Sequence, residues 1–260
     1  MSESLINKYR PLTFAEVLGQ NDIIIPLQRA MASSSHSHSY LLTGIFGVGK
    51  TSIARIIGNY FGCQIIEIDA ATHSSVASTR DLVEEGQHLS MVGDGTKMYL
   101  IDECHNLSRS AMDALLKITE EPPSHLYFAL CTTNPNKLPQ TLVSRCYQVK
   151  LQPLKINDMY ELLSIVADAE GWQVNNDVMA GIVEASDGSA RKALSLLLSL
   201  HDAKNREEMR RVIMLYDDKD PIIELVQFLL GGKNDWNRIQ AMLSRIDDDA
   251  FKDEGPFIQT

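Results

Sequence analysis

Residues 44–51, Gly44-Ile45-Phe46-Gly47-Val48-Gly49-Lys50-Thr51, satisfy G-x-x-x-x-G-K-[ST] at every fixed position. That spacing suits the cradling of a polyphosphate. Gly44, Gly47 and Gly49 let the backbone curl until successive N–H groups point inward at phosphate oxygens, with Phe46, Val48 and Ser52 completing the enclosing stretch. Lys50 supplies a point charge toward the β- and γ-phosphates, and the Thr51 hydroxyl is suited to hold Mg²⁺. About 50 residues on, Lys97-Met98-Tyr99-Leu100-Ile101-Asp102-Glu103 is an apolar run ending in two carboxylates. Asp102 is the expected second Mg²⁺ ligand, and Glu103 the group that orients and deprotonates an attacking water. Together these stretches predict a site for a nucleoside triphosphate.

Elements must hold these groups together. Tyr40–Leu42 before the loop reads as a strand and Ser52–Phe61 after it as a helix, whose N-terminus adds partial positive charge at the phosphates. Gln64–Asp69, Leu126–Leu130 and Tyr147–Leu151 read as further strands, and Ile23–Ala32, Thr79–Leu89, Asn106–Ile118 and Leu138–Arg145 as helical pieces. Pro26 is expected to interrupt the first helix near its start. Ser33–Ser39, with His36 and His38, reads as a solvated polar connector. Strands alternating with helices predict an α/β fold, a parallel sheet covered by helices on both faces. From Pro153 onward the pattern is helical only. The expected division is therefore a nucleotide-binding domain over 1–153, a helical lid over 154–205, and the start of a further helical region over 206–260.

The formal net charge is −10, unevenly spread. Residues 1–155 hold 13 Lys/Arg against 14 Asp/Glu, and residues 156–260 hold 11 against 20. So acidic a chain is a poor non-specific DNA binder alone, and any nucleic-acid contact must come from a local patch or an assembled surface. No apolar run reaches the roughly 18 residues of a membrane helix, and the N-terminus shows no signal-peptide pattern. Cys63, Cys104, Cys131 and Cys146 lie far apart, which suits reduced thiols of a cytoplasmic protein and offers no zinc site.

Several separate stretches resemble the ATPase subunits of sliding-clamp loaders within the AAA+ class. The bacterial DNA polymerase III gamma/tau subunit and the small subunits of replication factor C are the forms most alike. The stretches are Lys8-Tyr9-Arg10-Pro11 with Val17-Leu18-Gly19-Gln20, the phosphate loop, Ile101 to Ser108, Ala114 to Pro123, Leu138 to Cys146 with its Ser144-Arg145-Cys146 triplet, and Gly188 to Ala193. The resemblance implies a P-loop sheet followed by a helical lid and a partial helical collar. It implies that Arg10 and Val17 line the adenine pocket, and that Thr133, with Asn134 beside it, is a first sensor between the γ-phosphate and Glu103. Arg191 becomes a second sensor reaching from the lid, and Arg145 an arginine finger completing the neighbouring subunit's site. It further implies template-strand backbone contacts from Arg80, Ser108 and Arg109, with no sequence readout.

On this resemblance the cofactors are ATP and Mg²⁺. The partners are other loader subunits in a ring or spiral, five in number on the family's pattern, together with a ring-shaped sliding clamp and primer–template DNA. The setting is cytoplasmic, at replication forks, or a host cytoplasm for a phage-encoded form. Two departures stand out. The gamma/tau subunit carries a four-cysteine zinc knuckle after the phosphate-loop helix, where this chain has only Cys63, and only about 40 residues after Pro221 stand where a collar is expected. The collar is therefore expected to be truncated or abbreviated. Two other readings compete: an AAA+ or DExH nucleic-acid motor, suggested by Asp102-Glu103-Cys104-His105, and a non-hydrolysing scaffold like the delta-prime subunit.

Overall fold

Short apolar runs separated by Gly, Pro and helical segments pair as parallel neighbours rather than as hairpins. The computed structural model describes residues 4–70, 95–203 and 206–216. Among these, strands β1 (Ser39–Thr43), β2 (Gln64–Asp69), β3 (Lys97–Asp102), β4 (Leu126–Thr132) and β5 (Tyr147–Lys150) form one parallel sheet in the order β2-β3-β4-β1-β5. The helices are α1 (Leu5–Lys8), α2 (Asn21–Met31), α3 (Lys50–Tyr60), α4 (Arg109–Glu120), α5 (Gln140–Val143), α6 (Ile156–Glu170), α7 (Asn176–Ala185), α8 (Ala190–Leu200) and α9 (Arg206–Tyr216).

The two faces of the sheet follow the strand period of two. Leu41, Tyr99, Ile101, Phe128 and Leu130 point to one side, where Leu115 and Ile118 of α4 cover them. Tyr40, Leu42, Met98, Leu100, Ala129 and Cys131 point to the other, against Ile53 and Ile57 of α3 and Leu27 and Met31 of α2. β4 is buried along its whole length, as its central place requires. Emptying such a position costs about 2–5 kcal/mol for Leu or Ile to Ala. The register sets Thr43 beside Thr132, Ile101 beside Leu130 and Asp69 beside Asp102. The carboxyl ends of β1, β3 and β4 thus emerge side by side, the place where parallel α/β sheets bind ligands.

The sequence reading departs from the structure in several details. α2 begins two residues earlier than expected and runs through Pro26 rather than breaking there. Pro26 forfeits only the hydrogen bond to the Asp22 carbonyl, and buried Ile24, Leu27 and Met31 hold the helix on the sheet. α4 begins at Arg109, not Asn106, because Ser108 caps it by accepting from the Ala111 N–H at 3.3 Å. His36 and His38 are not in a solvated connector: their rings stack with Tyr127 and Phe61 at centroid distances of 4.5–5.9 Å. α1 precedes the sheet in sequence, yet Leu5 packs with Met159, Leu163, Ile182 and Leu197 of the helices that follow it. The expected helix over 79–89, with Arg80, and everything expected of 217–260 lie outside the described residues. Among the described residues no helix is long and apolar enough to cross a membrane.

Candidate functional site

The loop between β1 and α3 turns on glycines with positive φ. Gly47 (φ 73°) and Gly49 (φ 102°) occupy the left-handed region, where a side chain would be strained. At Gly47 there is also no room, since an added Cβ would run into the Ser189 hydroxyl and lie 2.9 Å from the Arg191 Cβ. Lys50 opens α3 and is almost fully buried, its Nζ donating to the carbonyls of Gly44 (2.9 Å) and Ile45 (3.0 Å). Burial pulls its pKa below the ordinary lysine value, partly countered by the nearby carboxylate of Glu103. Phe46 stands exposed above it, ring centroid 5.4 Å from Nζ.

β3 delivers the carboxylates. The Thr51 hydroxyl donates to Asp102 Oδ2 at 2.8 Å, and the Glu103 N–H donates to Asp102 Oδ1 at 3.0 Å. Both oxygens of Asp102 are thereby aimed, and the Thr51–Asp102 pair is an oxygen-only donor set of the kind Mg²⁺ takes. Glu103 itself has φ 46°, an uncommon conformation for a residue with a side chain. Its Oε2 accepts the N–H of Thr133 (3.2 Å) and the Thr133 hydroxyl (3.0 Å), and His105 Nδ1 lies 3.2 Å from the same oxygen.

These groups open onto a cavity of about 560 Å³, within the range of small-ligand sites. Lys50, Thr51, Ser52, Asp102 and Glu103 form its polar end. Tyr9, Arg10, Pro11, Val17 and Leu18 form one wall, and Leu154, Leu162, Arg191 and Leu194 of the helical layer another. The helical layer meets the loop directly where the Arg191 N–H donates to the Gly47 carbonyl at 3.3 Å. Burial lowers the Arg10 pKa, and the charge of Arg55 adds to the effect.

The expected residues do not all converge. Arg10, Val17, Phe46, Gly47, Val48, Gly49, Lys50, Thr51, Ser52, Asp102, Glu103 and Arg191 line the cavity. Gly44 serves through its carbonyl on Lys50, and Thr133 through Glu103. Asn134 is outside the cavity lining, its N–H donating to Thr132 Oγ1 at 3.0 Å. Arg145 is also outside it, held against the end of α4: Nη1 donates to the Leu116 carbonyl (2.8 Å) and Nη2 pairs with Glu120 (3.0 Å). Ser108 acts as a helix cap, and Arg109 is exposed beside it. The cavity also uses residues the sequence reading did not single out for it, Tyr9, Leu154, Leu162 and Leu194. Tyr9 sits inside Lys8-Tyr9-Arg10-Pro11, but the three leucines carry no signal beyond helical periodicity. Among the described residues no group of three or more His, Cys, Asp or Glu side chains is arranged to hold a metal ion.

Comparison with known proteins places this geometry. A family profile described as "DNA polymerase III, delta subunit" matches residues 65–155. The chain is 38% identical over 216 residues to the DNA polymerase III subunit tau of Salmonella typhimurium, covering 74% of this chain and 34% of that one. The Escherichia coli tau subunit is 33% identical over 267 residues, 92% of this chain and 41% of that one. This chain therefore spans well under half the length of those tau relatives. The DNA polymerase III subunit gamma of Buchnera aphidicola subsp. Schizaphis graminum is 32% identical over 269 residues, 93% of this chain and 73% of its relative. Among solved structures, the RuvB Holliday junction branch migration motor of Thermotoga maritima superposes with a TM-score of 0.70 over 93% of this chain and 88% of that one. At 19% identity it shows a shared fold, the RuvB-like AAA+ fold. By its identity to relatives matched over most of their own length, the chain belongs to the DNA polymerase III gamma/tau subunit family.

Proposed function

We propose that this chain is an ATP-hydrolysing subunit of a DNA polymerase sliding-clamp loader. One observation carries the reading: Thr51 and Asp102, far apart in sequence, meet at 2.8 Å on the wall of a cavity that also receives Lys50 and Glu103. Two oxygen donors, a buried ammonium and a carboxylate on one concave surface are what phosphoryl transfer to water requires. Mg²⁺ held by Thr51 and Asp102 would neutralise phosphate charge. Lys50 binds the β- and γ-phosphates, exchanging its two loop carbonyls for phosphate oxygens. Glu103 takes a proton from the water whose oxygen attacks the γ-phosphorus, and ADP leaves. Thr133 holds Glu103 at this task.

The apolar wall with Arg10 and Val17 suits the adenine base, and Arg191, on the helical layer and in the cavity, suits a cation that senses the bound phosphates. Arg145 lies outside its own cavity, and serving a neighbouring subunit would mean exchanging its contacts with the Leu116 carbonyl and Glu120 for a phosphate of that neighbour. Residues 1–153 act as the nucleotide-binding domain and 154–205 as a lid. The partners are further loader subunits, a sliding clamp and the backbone of primer–template DNA, at the replication fork in the cytoplasm. ATP binding assembles subunits that open the clamp, and hydrolysis releases it. The branch-migration reading is less supported, because the named relatives at 32–38% identity are DNA polymerase III subunits.

The test is a pair of variants. Glu103→Gln should bind ATP with near-native affinity and lose turnover, while Lys50→Ala should lose binding. A Gln variant hydrolysing at the native rate would remove Glu103 from the chemistry and, with it, this reading of the site.

A further inference from the structure

We infer that His105 is a positioning residue for Glu103, its Nδ1 proton holding the same carboxylate oxygen that Thr133 holds. The inference rests on the hydrolytic reading above. Glu103 leaves β3 in a left-handed conformation, which a residue with a side chain keeps only where its surroundings hold it. The next residues, Cys104–Asn106, make a single 3₁₀ turn, and this turn brings the imidazole back beside Glu103. Three contacts then converge on Oε2: the Thr133 N–H at 3.2 Å, the Thr133 hydroxyl at 3.0 Å and His105 Nδ1 at 3.2 Å.

This role requires the tautomer with its proton on Nδ1, since an unprotonated Nδ1 would set its lone pair against a carboxylate oxygen. Nδ1 also lies 2.9 Å from Thr132 Oγ1, which accepts the N–H of Asn134 as well. A proton on Nδ1 faces both oxygens, hydrogen-bonded to Thr132 and in close contact with Glu103, and so ties the end of β3 to the end of β4. Both side chains are largely withdrawn from solvent, 11% exposed for His105 and 15% for Glu103, where a hydrogen bond to a charged group is at its strongest. With Oε2 occupied from one side, Oε1 is the oxygen left to receive the proton of water. His105 acts on the reaction through Glu103 and does not line the cavity itself.

Two substitutions and one spectrum test this. In the assembled complex with clamp and DNA, His105→Phe keeps a ring but removes the donor, and should lower kcat by about tenfold or more with KM and ATP affinity unchanged. His105→Asn, whose amide N–H reaches the place of Nδ1, should recover most of the loss. In the full unsubstituted chain, ¹⁵N chemical shifts of histidine should show His105 protonated at Nδ1, with a shift on Glu103→Gln. Native kcat in the Phe variant, an Asn variant as slow as the Phe variant, or an unprotonated Nδ1 would each overturn the proposal. A native complex that hydrolyses no ATP would instead overturn the hydrolytic reading, and the nitrogen shifts would still decide whether His105 holds Glu103.

Discussion

The Thr51 hydroxyl donates to Asp102 Oδ2 at 2.8 Å, joining the first turn of α3 to the last residue of β3. The contact joins the two halves of the site, and it makes Asp102 separable from the fold. Asp102→Asn keeps an oxygen to accept the Glu103 N–H, and its amide N–H can donate to the Thr51 hydroxyl, so thermal unfolding should shift little. The lost charge should fall on the metal: titrating Mg²⁺ should tighten ATP binding in the native chain far more than in the variant. Equal Mg²⁺ dependence in the two chains would separate Asp102 from metal binding.

The contact between the helical layer and the phosphate loop is testable at Gly47. Alanine there meets both a left-handed φ and the side chains of Ser189 and Arg191, so Gly47→Ala should destabilise by about 1–3 kcal/mol and weaken ATP binding by displacing the helical layer. Adding Ser189→Ala removes the worst clash but also the cap that accepts the Lys192 N–H at 3.3 Å, worth about 1 kcal/mol. The double variant should therefore recover ATP affinity more fully than stability. Calorimetry and nucleotide titration on the same samples would show whether the two effects separate.

Arg145 should express its defect in another subunit. An Arg145→Ala chain keeps its own Lys50, Thr51, Asp102, Glu103 and Arg191, and should bind ATP normally. The adjoining site should slow by a factor on the order of 10³. Mixing this chain with Glu103→Gln subunits should restore turnover where a native arginine meets a native glutamate. Absence of complementation in a co-assembled mixture would return Arg145 to its structural contacts with Leu116 and Glu120.

The cysteines give a check on the packing. Burial raises the pKa of Cys104 and Cys131 well above the usual thiol value and pushes Cys146 up to about 12. The thiolate is the reactive form, and at pH 8 these three are overwhelmingly protonated thiols shielded from reagent. Iodoacetamide on the native chain should therefore label Cys63, which is half-buried, ahead of the others, and peptide mass spectrometry would show the order. Early labelling of Cys131 would contradict its burial behind the site.

What the sequence makes readable follows from the range of the interactions involved. The phosphate loop and Asp102-Glu103 are legible because chemistry dictates residue types at fixed local spacing, and the alternation of strands and helices with them. Ser108 as a helix cap is also local, and the register of α4 could have been read from it. The leucines of the cavity wall are not legible, because Leu154, Leu162 and Leu194 reach it only through the packing of the helical layer. His36 and His38 look like part of a serine-rich connector until β4 brings Tyr127 against them. Thr133 is expected beside Glu103, but the left-handed φ of Glu103 is hidden, since no residue type at that position signals it.

Central to the account is that this site hydrolyses ATP in the service of a clamp loader. The most direct measurement is steady-state ATP hydrolysis by the reconstituted complex, with and without clamp and primer–template DNA, across a salt series. Turnover should rise when both are present, depend on Glu103 of this chain, and fall steeply with salt, as the proposed contacts to DNA phosphates require. Hydrolysis at the same rate with and without clamp and DNA would contradict it.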